Sequence, residues 1–373
     1  MRKYYDINNI MALDCQYSLI FGKRSNGKSY AALKYGLEQH IKSGYKYQMA
    51  YVRRWAEDFV KQRAPSMFSS LICDGNGDNQ IELMTKGEYN TVYYHSRRWY
   101  LAKFDDETKE LKKAEEPFAF GFALSEMEHD KSTSFPNITT IIFDEFISRG
   151  TYLRDEFILF MNVCSTIIRD RTNVKIIMLG NTVNQYCPYF EEMGLDRVRQ
   201  QKQGTIEVYQ AGDSDLKIAV EYVVDSGKVA RGKVSSDTYF CFDNPRLKMI
   251  TNGEWEFDVY PHCPVQYKST EIVFNFFIIF KNDILQCEVI QHDAAQFIFI
   301  HKKTGEIKKP DTDLIYTLDY DPRPNWRRRL SRPMLNIERR IWALFCADKV
   351  YYQDNQVGEI VRNYLNLCEE GIY

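Results

Sequence analysis

Four short apolar runs, at residues 17–21, 47–52, 139–144 and 174–180, alternate with stretches of helical spacing in the first half of the chain. Each run is nearly continuous, the signature of a strand covered on both faces. Helical patterns follow the first run and occupy 155–168. This alternation predicts an α/β domain: a mainly parallel sheet with helices on both faces. The stretch 55–135 interrupts it, rich in charge and with extended segments at 89–94 and 118–122. It reads as a lid-like insertion over the site or as decoration. From 205 to 258 the chain becomes polar and turn-rich, ending in Thr251-Asn252-Gly253-Glu254, and reads as a linker subdomain. Beyond it, 271–280 and 284–291 predict a hairpin around Lys281-Asn282-Asp283. Residues 296–301 with Lys302-Lys303-Thr304-Gly305 carry a second hairpin signal, and helices are expected at 336–345 and 357–368. The expected domains are 1–204, 205–258 and 259–373.

Composition adds mainly exclusions. At 373 residues the chain is long enough for two domains and a large core. Lys plus Arg is 49 and Asp plus Glu 51, so a polyanion would have to be met by local patches. Nine cysteines without a C-x-x-C pair or Cys/His cluster predict reduced thiols in a cytosol. The start, Met1-Arg2-Lys3-Tyr4-Tyr5-Asp6, has no signal-peptide core. The longest apolar stretch, 272–280, is interrupted by Asn275 and too short to span a bilayer. The expectation is a soluble, intracellular protein with no membrane partner.

The first apolar run ends in candidate chemistry. Gly22-Lys23-Arg24-Ser25-Asn26-Gly27-Lys28-Ser29 completes the phosphate-loop pattern G-x-x-x-x-G-K-[ST], and Tyr30 continues into a helix. Strand, glycine loop and helix bring successive backbone N–H groups onto an anion. Lys28 would reach the terminal phosphates of a nucleotide, and the Ser29 hydroxyl would coordinate Mg²⁺. The third run ends in Asp144-Glu145, the Walker B pattern. Asp144 is placed to hold Mg²⁺, and Glu145 can orient and deprotonate an attacking water, which a pure binding site does not need. The fourth run ends at Asn181, a candidate contact to the γ-phosphate or that water. The bland readings are a glycine turn, a solvated acidic turn and a simple turn former.

Two groups of arginines stand out. Arg323, Arg327, Arg328, Arg329, Arg332, Arg339 and Arg340 cluster around Trp326, suited either to phosphate contacts or to a solvated, ion-paired surface. Arg169-Asp170-Arg171 lies before the fourth run, where an arginine cannot easily reach its own γ-phosphate but could enter a neighbour's site in a ring. A further pair, Arg149 and Arg154, follows Walker B, where a hydrolysis-coupled loop belongs, and offers candidate contacts to a nucleic acid.

The ordered set Phe21–Tyr30, Ala50-Tyr51-Val52-Arg53-Arg54, Asp130-Lys131-Ser132, Phe135-Pro136-Asn137, Ile142-Phe143-Asp144-Glu145-Phe146 and Ile168-Arg169-Asp170-Arg171, with Asn181 and Pro188-Tyr189-Phe190, resembles a known family. It is that of the DNA-packaging (encapsidation) ATPases of small podoviruses with terminal-protein-primed genomes, the Salasmaviridae and Picovirinae type. The resemblance implies a P-loop ATPase of the additional-strand, catalytic-glutamate (ASCE) class. It implies a homopentameric ring at the portal (connector) vertex, driving double-stranded DNA into a prohead in the host-cell cytoplasm and absent from the mature virion. It also implies that Lys131 and Arg169 act in trans on the neighbour's ATP, with Arg169 the finger, and that Arg53 lies near the phosphates or the lid. After residue 200 only the layout carries over: a C-terminal ribonuclease H-like domain, a vestigial nuclease facing the prohead or a packaging RNA. A working nuclease of that fold needs a first-strand carboxylate, where this chain offers Asn275. Asp311, Asp313, Asp319 and Asp321 read as loop acids. The competing readings are a full terminase with active nuclease, a P-loop switch or kinase, and a binding or assembly protein with a vestigial phosphate loop, against which the intact Lys28, Ser29, Asp144 and Glu145 argue. A GTPase would need an N-K-x-D motif, which Phe280-Lys281-Asn282-Asp283 is not.

Overall fold

A computed structural model describes residues 5–129, 134–149, 152–212, 214–224, 255 and 258–370. The chain divides into two compact units, Met1–Glu256 and Phe257–Tyr373.

In the first unit the strands are β1 Tyr17–Gly22, β2 Gln48–Arg53, β3 Thr91–His95, β4 Arg98–Phe104, β5 Leu111–Lys113, β6 Ala119–Ala123, β7 Ile138–Asp144, β8 Lys175–Asn181, β9 Thr205–Gln210 and β10 Lys217–Val223. They form one sheet in the order β3-β4-β6-β2-β7-β8-β1-β10-β9, with β5 paired to β4. The run from β6 to β10 is parallel throughout. β8 is the additional strand, lying between β1 and β7. Side chains leave β1 alternately to two cores. Leu19 and Phe21 join one, which includes Phe160, Val163 and Ile167 of the Glu156–Ile168 helix; Ile20 joins the other, with Ala32, Leu33 and Leu37 of the Lys28–Lys42 helix. Burial on both faces is why β1, β7 and β8 read as nearly continuous apolar runs.

Two expected boundaries change. Residues 205–223 are not part of a linker: β10 pairs in parallel with β1, and β9 closes the edge beside it. β10 carries Glu221 in mid-strand, which makes the segment look polar; the carboxylate is half-buried and accepts the Tyr5 hydroxyl. The described part of the 55–135 insertion extends the sheet. β6 extends the sheet alongside β2, and β4 and β3 continue it antiparallel. Trp99 anchors this region, fully buried with its Nε1 donating to the Ala64 carbonyl at 2.9 Å.

The second unit holds β11 Ile272–Phe280, β12 Asp283–His292, β13 Ala295–Lys302, β14 Leu314–Thr317, β15 Trp326–Arg327 and β16 Val350–Tyr352. The order is β15-β14-β11-β12-β13-β16, an antiparallel meander β11-β12-β13 with β14 and then β15 added in parallel beside β11. The arrangement fits the expected ribonuclease H-like α/β class. The second hairpin turns at Asp293-Ala294, not at 302–305; Asp293 supplies the left-handed residue (φ 48°) that a two-residue turn requires. The Asn355–Glu370 helix buries Val357, Ile360, Val361 and Tyr364.

Candidate active site

Four neighbouring strands end on four of the singled-out residues: β1 on Gly22, β2 on Arg53, β7 on Asp144 and β8 on Asn181. Ligands of open parallel sheets bind at these carboxyl ends. Gly22 stands in register with Asn181 on one side and Val223 on the other. A Cβ on Gly22, whose φ is +152°, would lie 2.9 Å from the Val223 carbonyl, so the loop leaves the sheet where only glycine fits. Gly27, at φ 91°, enters the Lys28–Lys42 helix from the left-handed region.

The Lys28 ammonium is buried. It donates to the carbonyls of Gly22 (3.2 Å) and Lys23 (2.7 Å), to Asn26 Oδ1 (3.2 Å) and to Asn181 Oδ1 (3.4 Å). Burial pushes its pKa down to about 8, against the pull of Asp144. Asn26 Nδ2 is a buried donor with no acceptor among the described residues. Such a group is costly alone and suits an anion seated in the loop.

Ser29 donates to Asp144 Oδ1 at 3.2 Å, and the Tyr51 hydroxyl to Oδ2 at 2.7 Å. Burial raises the Asp144 pKa, opposed by Arg53, Tyr51 and Ser29. Arg53 binds Asp58 at 3.0 Å and Glu145 at 2.8 Å, and lies 3.9 Å from Asp144. Glu145 is 58% exposed in its side chain and has a positive φ of 63°. Asp58 belongs to the first turn of the 55–135 region, so that region reaches the site at its start.

Several expected residues lie elsewhere. Lys131 falls outside the described residues. Tyr30 turns its hydroxyl towards Asp74 (3.4 Å). Arg169 caps the C-terminus of the Glu156–Ile168 helix, at the end of the sheet where β8 begins. Six strand residues precede Asn181 from that end, a span of about 20 Å, so Arg169 stands far from its own phosphate loop. Arg171, its neighbour, is committed to the fold: it donates to the carbonyls of Phe135, Pro136, Ile138 and Ile167. Arg154 pairs with Asp155 at 3.7 Å.

In the second unit, Arg323 binds Asp311 and Asp321, and Arg327 binds Glu338. Arg328, Arg332, Arg339 and Arg340 remain exposed. Asn275 is exposed on β11.

The sequence gives Tyr51 and Arg54 no role beyond membership of the matched stretch 50–54, and it does not mark Asp58 or Glu156. Strand parity could have found Tyr51, which shares the Arg53 face of β2 beside the Walker B strand. Nothing in the pattern marked Glu156, an acid in a first helical turn.

Residues 109–332 match the family described as Podovirus DNA encapsidation protein (Gp16). A DNA packaging protein of Bacillus phage PZA is 30% identical over 321 residues, 85% of this chain and 83% of that protein. One of Bacillus phage B103 is 27% identical over 268 residues, 67% of this chain and 73% of that protein. The solved bacteriophage Phi-29 viral genome packaging motor assembly matches with a TM-score of 0.51 and 21% identity over 98% of this chain and 99% of that chain. The Phi-28 gp11 DNA packaging motor matches with 0.51 and 13% over 99% and 98%. At these identities the two structures speak for the fold alone. Among the described residues no helix is long and apolar enough to cross a membrane. On the family match and the PZA relative together, the chain belongs to the podovirus DNA encapsidation protein family.

Proposed function

We propose that this chain is the ATP-hydrolysing motor that drives double-stranded DNA into a prohead. The observation that carries the reading is the convergence of Lys28, Ser29, Asp144, Glu145 and Asn181 at the carboxyl ends of three adjacent parallel strands, in a member of an encapsidation family. The orphaned Asn26 donor and the buried Lys28 ammonium fit a polyphosphate. Ser29 and Asp144 offer only oxygen donors, which fits Mg²⁺; bound there, the ion would neutralise charge on the phosphates. Glu145 is the one carboxylate of the site that is substantially exposed, and it serves as general base. It takes a proton from water, whose oxygen bonds to the γ-phosphorus as the bond to the β-phosphate oxygen breaks, leaving ADP and phosphate. Arg53 now holds that carboxylate by a 2.8 Å ion pair, which must loosen for Glu145 to meet water.

The position of Arg169 at the far end of the sheet supports action on a neighbouring subunit. The ring is taken to be homo-oligomeric and pentameric, with Lys131 in the same role, as the family resemblance implies. The second unit acts as a docking domain for the portal, prohead or packaging RNA, without nuclease activity. Asn275 stands where a first-strand carboxylate would be needed, and Arg323 already neutralises Asp311 and Asp321. Plasmid DNA left intact by the full chain with Mn²⁺ is the expected result, and nicking would refute this. The motor works in the host cytoplasm on proheads. ATPase activity measured with and without DNA, then with proheads, tests the whole reading: stimulation by DNA is expected, and activity indifferent to both would return the chain to the switch or kinase class.

A further inference from the structure

Arg54 lies one residue past β2, and its side chain is 8% exposed. Its guanidinium donates from Nε and Nη2 to the two oxygens of Glu156, at 2.7 and 2.8 Å. It donates from Nη1 to the Glu145 carbonyl at 3.2 Å and from Nη2 to the Phe146 carbonyl at 3.1 Å. The Tyr152 ring covers it at 5.0 Å. Glu156, 1% exposed, also accepts from the Tyr189 hydroxyl (2.9 Å) and the Leu153 amide (2.8 Å). The two Arg54–Glu156 bonds, the bond to the Phe146 carbonyl and the Tyr189 bond are all buried.

From this geometry we infer that Arg54 is a positioning residue for hydrolysis, fixing the backbone that aims the Glu145 carboxylate. Glu145 occupies the left-handed region at φ 63°, a conformation that a non-glycine residue keeps only when its surroundings over-determine it. The constraints are visible: the Phe146 amide donates to the Leu179 carbonyl at 3.1 Å, and Arg54 holds the carbonyls of residues 145 and 146. Glu145 and Phe146 therefore cannot turn without breaking bonds to a buried cation. Arg54 acts from the face that carries Glu156, while Arg53, Tyr51 and the phosphate loop lie on the other, so its influence on the reaction is indirect. Stability alone does not explain the pair. A buried ion pair is commonly matched or bettered by apolar residues of similar volume, whereas only a planar guanidinium can serve a carboxylate in two places and two carbonyls at once.

The proposal rests on Glu145 as the base, and the test separates the two. Arg54→Lys is assayed in the parent and in a Glu145→Gln background for ATP affinity, kcat and Tm. The expected result is affinity within about twofold and kcat lowered roughly a hundredfold in the parent, because a base misplaced by about 1 Å loses that much. In the Glu145→Gln background the lysine should cost nothing more, since there is no base left to aim. Arg54→Met/Glu156→Leu, which removes both buried charges, should fold and still turn over slowly. Parental kcat in either variant, or an equal loss in the Glu145→Gln background, overturns the proposal. Normal turnover by Glu145→Gln alone would instead remove the base, and with it the reading beneath.

Discussion

Asn181→Asp changes one nitrogen to oxygen and adds one negative charge at the end of β8. The charge would lie about 3.4 Å from the Lys28 ammonium, the separation Asn181 Oδ1 has now. A phosphate oxygen held by the same ammonium sits about 2.9 Å from it, so carboxylate and phosphate would be no more than roughly 6 Å apart. At an effective dielectric of about 20, repulsion at that distance is worth about 2.8 kcal/mol, or a Kd about a hundredfold weaker. The effect on the nucleotide-free protein has the opposite sign. Lys28 gains a counter-ion beside neutral acceptors, so Tm without nucleotide should not fall. Asn181→Ala removes an acceptor without adding charge and should weaken binding by less than tenfold, about the net value of one hydrogen bond. The assay is a fluorescent ATP-analogue titration at fixed ionic strength, with thermal melts alongside. If Asn181→Asp binds within about threefold of the parent, or loses affinity only together with Tm, Asn181 does not face the phosphates.

Glu145→Gln should bind ATP normally and lose turnover by about 10²–10⁴-fold in single-turnover assays, because the amide cannot accept the proton; normal turnover would remove the assigned base. Arg169→Ala should lower ATPase activity, and mixing it with Glu145→Gln subunits should restore part of it through mixed interfaces; no restoration at any ratio would refute action in trans. Arg171→Ala should act through the fold, lowering stability by about 1.5–3 kcal/mol in urea melts, since four carbonyls lose a charged donor. Replacing Arg328, Arg332, Arg339 and Arg340 with Gln should weaken nucleic-acid or prohead docking and flatten its salt dependence. Unchanged binding across salt would make that surface bland.

Legibility followed burial. β1, β7 and β8 are covered on both faces, so their apolar runs and the residues ending them could be read directly. β10 is as central to the sheet, but Glu221 interrupts it, and the partner that makes this tolerable, Tyr5, is 216 residues away. The same distance problem hid where β6 belongs: 118–122 reads as extended, yet it pairs beside β2 only after the long excursion through β3, β4 and β5. Trp255 is a third case. It sits in a stretch that reads as linker, yet its ring packs against Phe21 at 5.3 Å, in the strand that leads into the phosphate loop. The arginine cluster at 321–340 looked uniform, and only the fold divides it into arginines consumed by Asp311, Asp321 and Glu338 and those left exposed.

The pair Arg53-Arg54 shows most plainly what a string of residues leaves unsaid. Two adjacent identical side chains at a strand end look redundant, but strand geometry sends them to opposite faces. Arg53 falls on the side of Tyr51 and the Lys28–Lys42 helix, where it meets the carboxylate of Glu145. Arg54 falls on the side of the Glu156–Ile168 helix, where it meets the carbonyl of that same glutamate. One arginine holds the side chain by a half-exposed ion pair that solvent and substrate can exchange, and the other holds the backbone by a buried one that they cannot. The labile contact is therefore suited to change during turnover, and the buried one to set where the carboxylate returns. Exchanging the two roles would require moving the strand by one residue, which would also turn Tyr51 away from Asp144.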